Sequence, residues 1–245
     1  MDSGIDKQLI QKLKQNNKQI EKLLSENEQI IKKAGFEPPK RNVILNKEDR
    51  IALPSGYIRL ATRFITQYHL DEIVNDSNIR KNIAYSIQLM DLYNYLFNRF
   101  NIWGSIMTMF VKTAIVNVVS ITEALISECA SNIRMVCFEC KKAGRCENQI
   151  TKNEQDYVKN CIAKMTKLNI LSLDAEKVER LNEIIDLRNR VHIRLAKENE
   201  FMDSSFCLST YNEIKQLLQV VVNDLYTNGV PAYKKCNSKV EEVAI

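Results

Sequence analysis

Turn-forming residues are scarce in this chain of 245 residues. It has 6 Gly and 4 Pro, where ordinary usage would give roughly 17 and 12. β-sandwiches and β-barrels need many turns built on such residues. The shortage therefore excludes those classes and predicts an all-α protein, an antiparallel helical bundle.

Histidine is scarcer still, since the chain has only His69 and His192. No pair of histidines stands at helical spacing, which excludes HExxH zinc chemistry. The sequence also has neither GxxxxGK[ST] nor GxGxxG, the loops that cradle nucleotide phosphates. Any acid–base step that uses imidazole must use one of these two side chains. His69 has no catalytic company in the sequence, and we expect it to pack or to lie at the surface.

Long apolar runs are also missing. The most apolar stretch, residues 104–121, is interrupted by Lys112 and Asn117, which predicts a buried core helix rather than a membrane span. Residues 1–35 have no apolar segment of the signal-peptide type. Seven cysteines without such a signal predict reduced thiols and a cytoplasmic protein.

The first segment has a heptad pattern. Its apolar positions alternate with spacings of four and three and include two asparagines: Leu9, Leu13, Asn16, Ile20, Leu23, Asn27 and Ile30. This predicts a coiled coil that sets the oligomeric state, although a helix packed on its own domain has the same pattern. We therefore divide the chain into an N-terminal helix and linker, residues 1–40, and a helical domain, residues 41–245.

A short helix is predicted from Tyr57 to His69, and four longer helices follow it. Asp76 or Ser77 caps a helix that runs to about Asn101, and the most apolar helix follows, at about 105–136, packed antiparallel on it. Asp174 caps a third helix that continues through His192. The capping box of Thr210 and Glu213 opens a fourth helix, which runs to about Tyr226.

Residues 137–168 form a predicted insertion rich in cysteine and lysine. Residues 134–167 have eight basic and four acidic side chains, a balance of +4 in a chain whose net charge is +5. The candidate zinc ligands are Cys137, Cys140, Cys146 and Cys161; the alternative is a set of reduced thiols. The basic side chains expected to contact RNA phosphates or an acidic partner are Lys141, Lys142 and Arg145. A solvated loop is the other interpretation.

The strongest local signal is Arg188-Asn189-Arg190-Val191-His192-Ile193-Arg194. On a continuous helix Arg188 and His192 share one face. A guanidinium pairs with a phosphate and stabilises transition-state charge, and imidazole is a general acid or base near neutral pH. The pattern therefore suits phosphodiester chemistry. The alternative is structural: the helix dipole favours basic side chains near the C-terminus of a helix, and this would produce the same pattern without any catalytic function.

The arrangement around this motif resembles the HEPN superfamily of helical domains. The resembling residues are Thr122 to Ile126 in the central helix, Leu181 to Leu187, and Arg188, Asn189 and His192, with the helix from Thr210 following. Many members are metal-independent endoribonucleases whose two motifs meet in a positively charged cleft of a homodimer. Here three residues separate the Arg and the His, where the family has four to six.

The resemblance implies a role for each residue of the motif. His192 would be the general base or acid, Arg188 would stabilise the phosphate, and Asn189 would orient them, while Arg190 and Arg194 would bind RNA. No cofactor would be needed for cleavage, and any bound zinc would be structural. The resemblance also implies a toxin-like or defence role. Inactive members are common, so a module that binds RNA or protein without cutting it is the alternative.

Glu123 is expected to pair with Arg188. The partners expected are therefore RNA, a second copy of the chain and a protein partner or inhibitor, and no membrane.

Overall fold

The computed structural model describes residues 7–33, 50–52, 56–139, 146–147, 149–189, 205–232 and 234. The chain divides into two compact units, Met1–Leu53 and Pro54–Ile245. The predicted boundary after residue 40 lies outside the described residues. Within the described residues every regular element is helical and no strand occurs, which confirms the all-α prediction.

The described residues of the first unit form one helix, α1, Lys7–Lys33. No side chain of α1 is buried, and its heptad leucines and isoleucines are exposed, from 47% for Leu13 to 64% for Ile30. The helix is therefore confirmed over most of the segment predicted to form it. Its pairing in a coiled coil stays a prediction.

The second unit is a bundle with two long helices. Its elements are α2 (Ala61–Gln67), α3 (Leu70–Ile73), α4 (Ser77–Arg99), α5 (Gly104–Glu139), α6 (Lys152–Asp156), α7 (Val158–Lys167), α8 (Ala175–Asn189), α9 (Leu208–Asp224) and a π-helical turn, Leu225–Gly229. α5 packs against α4, α7, α8 and α9, and its buried side chains form the middle of one continuous core.

α5 is also the one described helix long and apolar enough to cross a membrane, over Gly104–Cys137. Of its most apolar window, 56% is buried inside the fold. Ile115, Val118 and Leu125 are fully buried by neighbouring helices, so α5 is the central core helix that the sequence predicts.

The helix starts test the capping predictions. The Asp76 carboxylate accepts hydrogen bonds from the Asn78 and Ile79 amides, and α4 begins at the next residue. Asp174 accepts from the Lys177 amide in the same way at the start of α8. Both caps are confirmed, because a short acidic side chain satisfies amides that have no helical partner.

The prediction of a capping box at the start of α9 is wrong. α9 begins at Leu208 with Cys207 at its N-cap, so Thr210 lies within the first turn and is buried. The Glu213 carboxylate instead accepts two hydrogen bonds from the Arg180 guanidinium, at 2.8 and 2.9 Å. An ion pair between α8 and α9 therefore uses the acid that the sequence pattern assigned to the cap.

The predicted insertion at 137–168 contributes to the bundle core. α7 turns Cys161, Ile162 and Met165 inward, and all three are fully buried. Thr151 and Glu154 form a reciprocal capping box at the start of α6. The second half of this segment is thus integral to the fold, while Cys140 and residues 141–145 lie outside the described residues.

Candidate functional site

The predicted partnership between α5 and α8 is present in the structure. α8 buries Leu181, Ile184 and Leu187 against the core, which places Arg188 at the edge of the buried face. Its Nη2 lies 3.2 Å from Oε2 of Glu123. The Arg188 side chain remains 42% exposed, whereas that of Glu123 is only 12% exposed. The guanidinium therefore reaches solvent and the carboxylate lies beneath it.

Glu123 is incompletely satisfied. Its Oε1 atom is buried and has no hydrogen-bond partner. Burial raises the pKa of the Glu123 carboxyl and the charge of Arg188 opposes this effect, with a net increase. Buried polar atoms without a partner are uncommon and often mark functional sites or bound water. Glu123 and Arg188 thus form an ion pair with one acceptor still open.

The structure does not place the remaining residues of the motif. α8 is described to Asn189, and nothing is described of its side chain. The predicted general acid or base, His192, lies outside the described residues, as do the predicted RNA-binding side chains Arg190 and Arg194. Their roles stay predictions.

An open cavity of about 500 Å3 lies one helical turn before Arg188. Ile185 of α8 closes it on one side, and the segment that joins α6 to α7 closes the other. Its lining consists of Asp156, Tyr157, Val158, Lys159, Asn160 and Ile185. Ile185 of the cavity and Arg188 of the ion pair are three residues apart, and residues three apart on a helix are neighbours.

The cavity was missed by sequence reasoning because its residues come from the end of α6, the start of α7 and α8, which lies further along the chain. Lys159 Nζ lies 2.6 Å from Asp186 Oδ1, which ties α7 to α8 beside the opening. Tyr157 is extended between α6 and α7, with φ −120° and ψ 110°, and its side chain is 62% exposed. An exposed tyrosine just before an amphipathic helix was the signal available in the sequence.

The predicted zinc ligands do not come together in the part of the chain that is described. Cys137 and Cys161 are buried and Cys146 is exposed, and the described residues contain no group of three or more metal-binding side chains. Burial raises the pKa of Cys161 to about 11, which favours a protonated thiol. Cys140, the fourth candidate, lies outside the described residues, as do Lys141, Lys142 and Arg145.

His69 packs, as the sequence predicts. Its ring stacks on that of Tyr226, with centroids 3.7 Å apart. The residue has a left-handed backbone, φ 51°, and stands at the N-cap of α3. Its imidazole is therefore engaged with the π-helical turn at the end of α9.

A second arginine–carboxylate pair lies between the start of the bundle and α4. Asp91 accepts from the backbone amide, Nε and Nη2 of Arg59, at 3.1, 2.9 and 2.7 Å. Burial raises the pKa of Asp91, but the Arg59 hydrogen bonds outweigh it, and the net pKa is lowered. Sequence reasoning missed this pair, because Arg59 lies in the predicted short helix 57–69 and its partner Asp91 is 32 residues away.

Comparison of the chain with protein-family models, curated proteins and solved structures gave no match.

Proposed function

We propose that this chain is a metal-independent endoribonuclease of the HEPN type. The observation that supports this most directly is the Glu123–Arg188 pair, in which an exposed guanidinium lies over a half-satisfied carboxylate. It lies four residues before His192, the only histidine near a cationic cluster. A HEPN-like bundle around these residues is part of the same proposal.

The proposed reaction needs only groups that this chain and RNA supply. His192 removes the proton of the 2′-hydroxyl, whose oxygen attacks the adjacent phosphorus. The bond from phosphorus to the 5′-oxygen breaks, and the protonated imidazole of His192 gives that oxygen a proton. The products are a 2′,3′-cyclic phosphate and a 5′-hydroxyl. Arg188 stabilises the charge that develops on the phosphoryl oxygens, and Glu123 positions Arg188 through the contact of 3.2 Å.

We further propose that the protein is cytoplasmic and acts as a homodimer. The exposed heptad face of α1 is suited to bring two copies together. A toxin-like or defence role and a protein partner or inhibitor belong to the same proposal. Zinc, if bound at the cysteine-rich segment, would be structural.

The test is cleavage of a mixed RNA pool in EDTA. We expect cyclic phosphate ends, a loss of about 10²- to 10⁴-fold in rate for His192→Ala and about 10²- to 10³-fold for Arg188→Ala. Arg63→Ala removes an exposed arginine of α2 and is the matched control, expected to cut normally. Each variant must retain its helical circular dichroism.

A module that binds RNA or protein without cutting it is the second candidate. The observation that favours it is the ion pair itself, because Glu123 neutralises the charge that Arg188 would offer to a phosphate. This candidate predicts binding that survives His192→Ala. A folded wild type that binds RNA and leaves it intact would decide for it.

A further inference from the structure

The cavity between α7 and α8 has the construction of a site for a flat, partly apolar ring. Val158 and Ile185 supply aliphatic surface, and Ile185 is almost fully buried. Asn160 supplies amide groups, which donate and accept hydrogen bonds. A volume of about 500 Å3 lies within the range of small-molecule sites.

Tyr157 supplies an aromatic face at the same cavity. It is 62% exposed although it lies next to the buried part of α7. The extended backbone between two helices holds it at the rim. A large aromatic side chain exposed beside an apolar hollow is an established platform for stacking of nucleobases.

The charges at the opening indicate which part of a nucleotide fits. The charged residues of the lining are Asp156 and Lys159, and the Lys159 ammonium group is paired with Asp186 of α8. The opening therefore offers a phosphate no net positive charge. A phosphate contact would come from the Arg188 guanidinium, three residues further along α8, which is 42% exposed and would exchange its contact with Glu123 for the phosphate. The phosphate and the base of one strand would occupy adjacent places.

We propose that this cavity binds an unstacked nucleobase of single-stranded RNA, with Tyr157 stacking on the base. The site rests on the proposed function, because Arg188 supplies the neighbouring phosphate contact. It names the substrate class as single-stranded RNA, since bases inside a duplex are stacked and their faces are unavailable.

The test measures binding and cutting separately on the full chain. Binding is measured by fluorescence anisotropy with a labelled 2′-O-methyl oligoribonucleotide of mixed sequence, which has no free 2′-hydroxyl to attack. Cutting is measured with the unmodified RNA. The variants are Tyr157→Ala and Tyr157→Trp. Tyr85→Ala is the matched control, because Tyr85 of α4 is 60% exposed and Tyr157 is 62% exposed.

Tyr157→Ala is expected to weaken binding by about 5- to 150-fold. Tyr157→Trp should keep or improve the affinity, and Tyr85→Ala should change it by less than about 2-fold. Binding that depends on Tyr157 supports the site even if the wild type does not cut, and in that case only the nuclease proposal fails.

Two results would overturn the site. If wild type binds and cuts RNA while Tyr157→Ala binds equally well, the cavity is wrong and the nuclease proposal stands. If wild type neither binds nor cuts single-stranded RNA, both fail. A duplex of the same sequence that competes equally with the single strand would also refute the substrate class.

Discussion

Two of the arginine–carboxylate pairs in the bundle, Arg59–Asp91 and Arg188–Glu123, differ in how completely they are formed. Arg59 makes three hydrogen bonds to Asp91 and lowers its pKa. Arg188 makes one contact with Glu123, leaves one oxygen without a partner, and leaves the pKa raised. Both acids lie on the long helices α4 and α5. We conclude that the first pair stabilises the fold, whereas the second carries a cost that function would explain.

Removing the complete pair should have the larger effect on stability. Asp91→Ala leaves the Arg59 guanidinium without its main acceptor. We expect a loss of about 2–3 kcal/mol in the free energy of unfolding, between the values for exposed and for fully buried pairs. Urea unfolding followed by circular dichroism measures it. RNA cleavage per folded molecule should be unchanged, and a stability within error of wild type would refute the assignment.

Changing the incomplete pair should alter stability less, with the opposite dependence on pH. The raised pKa of Glu123 means that its ionised form is disfavoured in the fold, so wild-type stability falls relative to Glu123→Gln as pH rises above about 4.3. At neutral pH the variant should equal or exceed wild type by about 1 kcal/mol or less.

Asp91 should show the opposite dependence of stability on pH. Its pKa is lowered, so its contribution is present above about pH 3.9 and is lost as pH falls through the folded-state value. Urea midpoints between pH 3 and 7 for wild type, Asp91→Ala and Glu123→Gln test both statements. If the difference in urea midpoint from wild type changes with pH in the same direction for Asp91→Ala and for Glu123→Gln, the two pairs do not differ as the structure indicates.

The smallest effect is expected from a pair on the surface. Lys177 Nζ lies 2.6 Å from Asp174 Oδ2 at the start of α8, and both side chains are about half exposed. Lys177→Ala should not shift the urea midpoint measurably, because solvent screens such pairs. A shift as large as that of Asp91→Ala would show that distance alone, rather than burial, ranks these interactions.

Local sequence signals predicted the helices but not their partners. Asp76 and Asp174 cap α4 and α8 because the cap depends on amides two or three residues away. Glu213 matched a cap pattern and instead pairs with Arg180, 33 residues earlier. The carboxylate of Glu213 thus pairs with a side chain of another helix rather than with a nearby backbone amide. The sequence alone does not show which residues of other helices come close.

The candidate site divides in the same way. The Glu123–Arg188 contact was predictable because an acid in the most apolar helix needs a cation, and Arg188 lies in the last turn of α8. The cavity beside Tyr157 was not, because it exists only where α7 meets Ile185 of α8. Adjacent helices that pack with a gap leave no periodic trace in the sequence.

Trp103 is the only tryptophan of the chain, and it is 76% exposed just before α5. The protein therefore has a built-in optical reporter at a single known place. Its emission should be that of an indole in water, open to collisional quenching by acrylamide. Any molecule that covers the start of α5 will shift that emission to shorter wavelength, without a label.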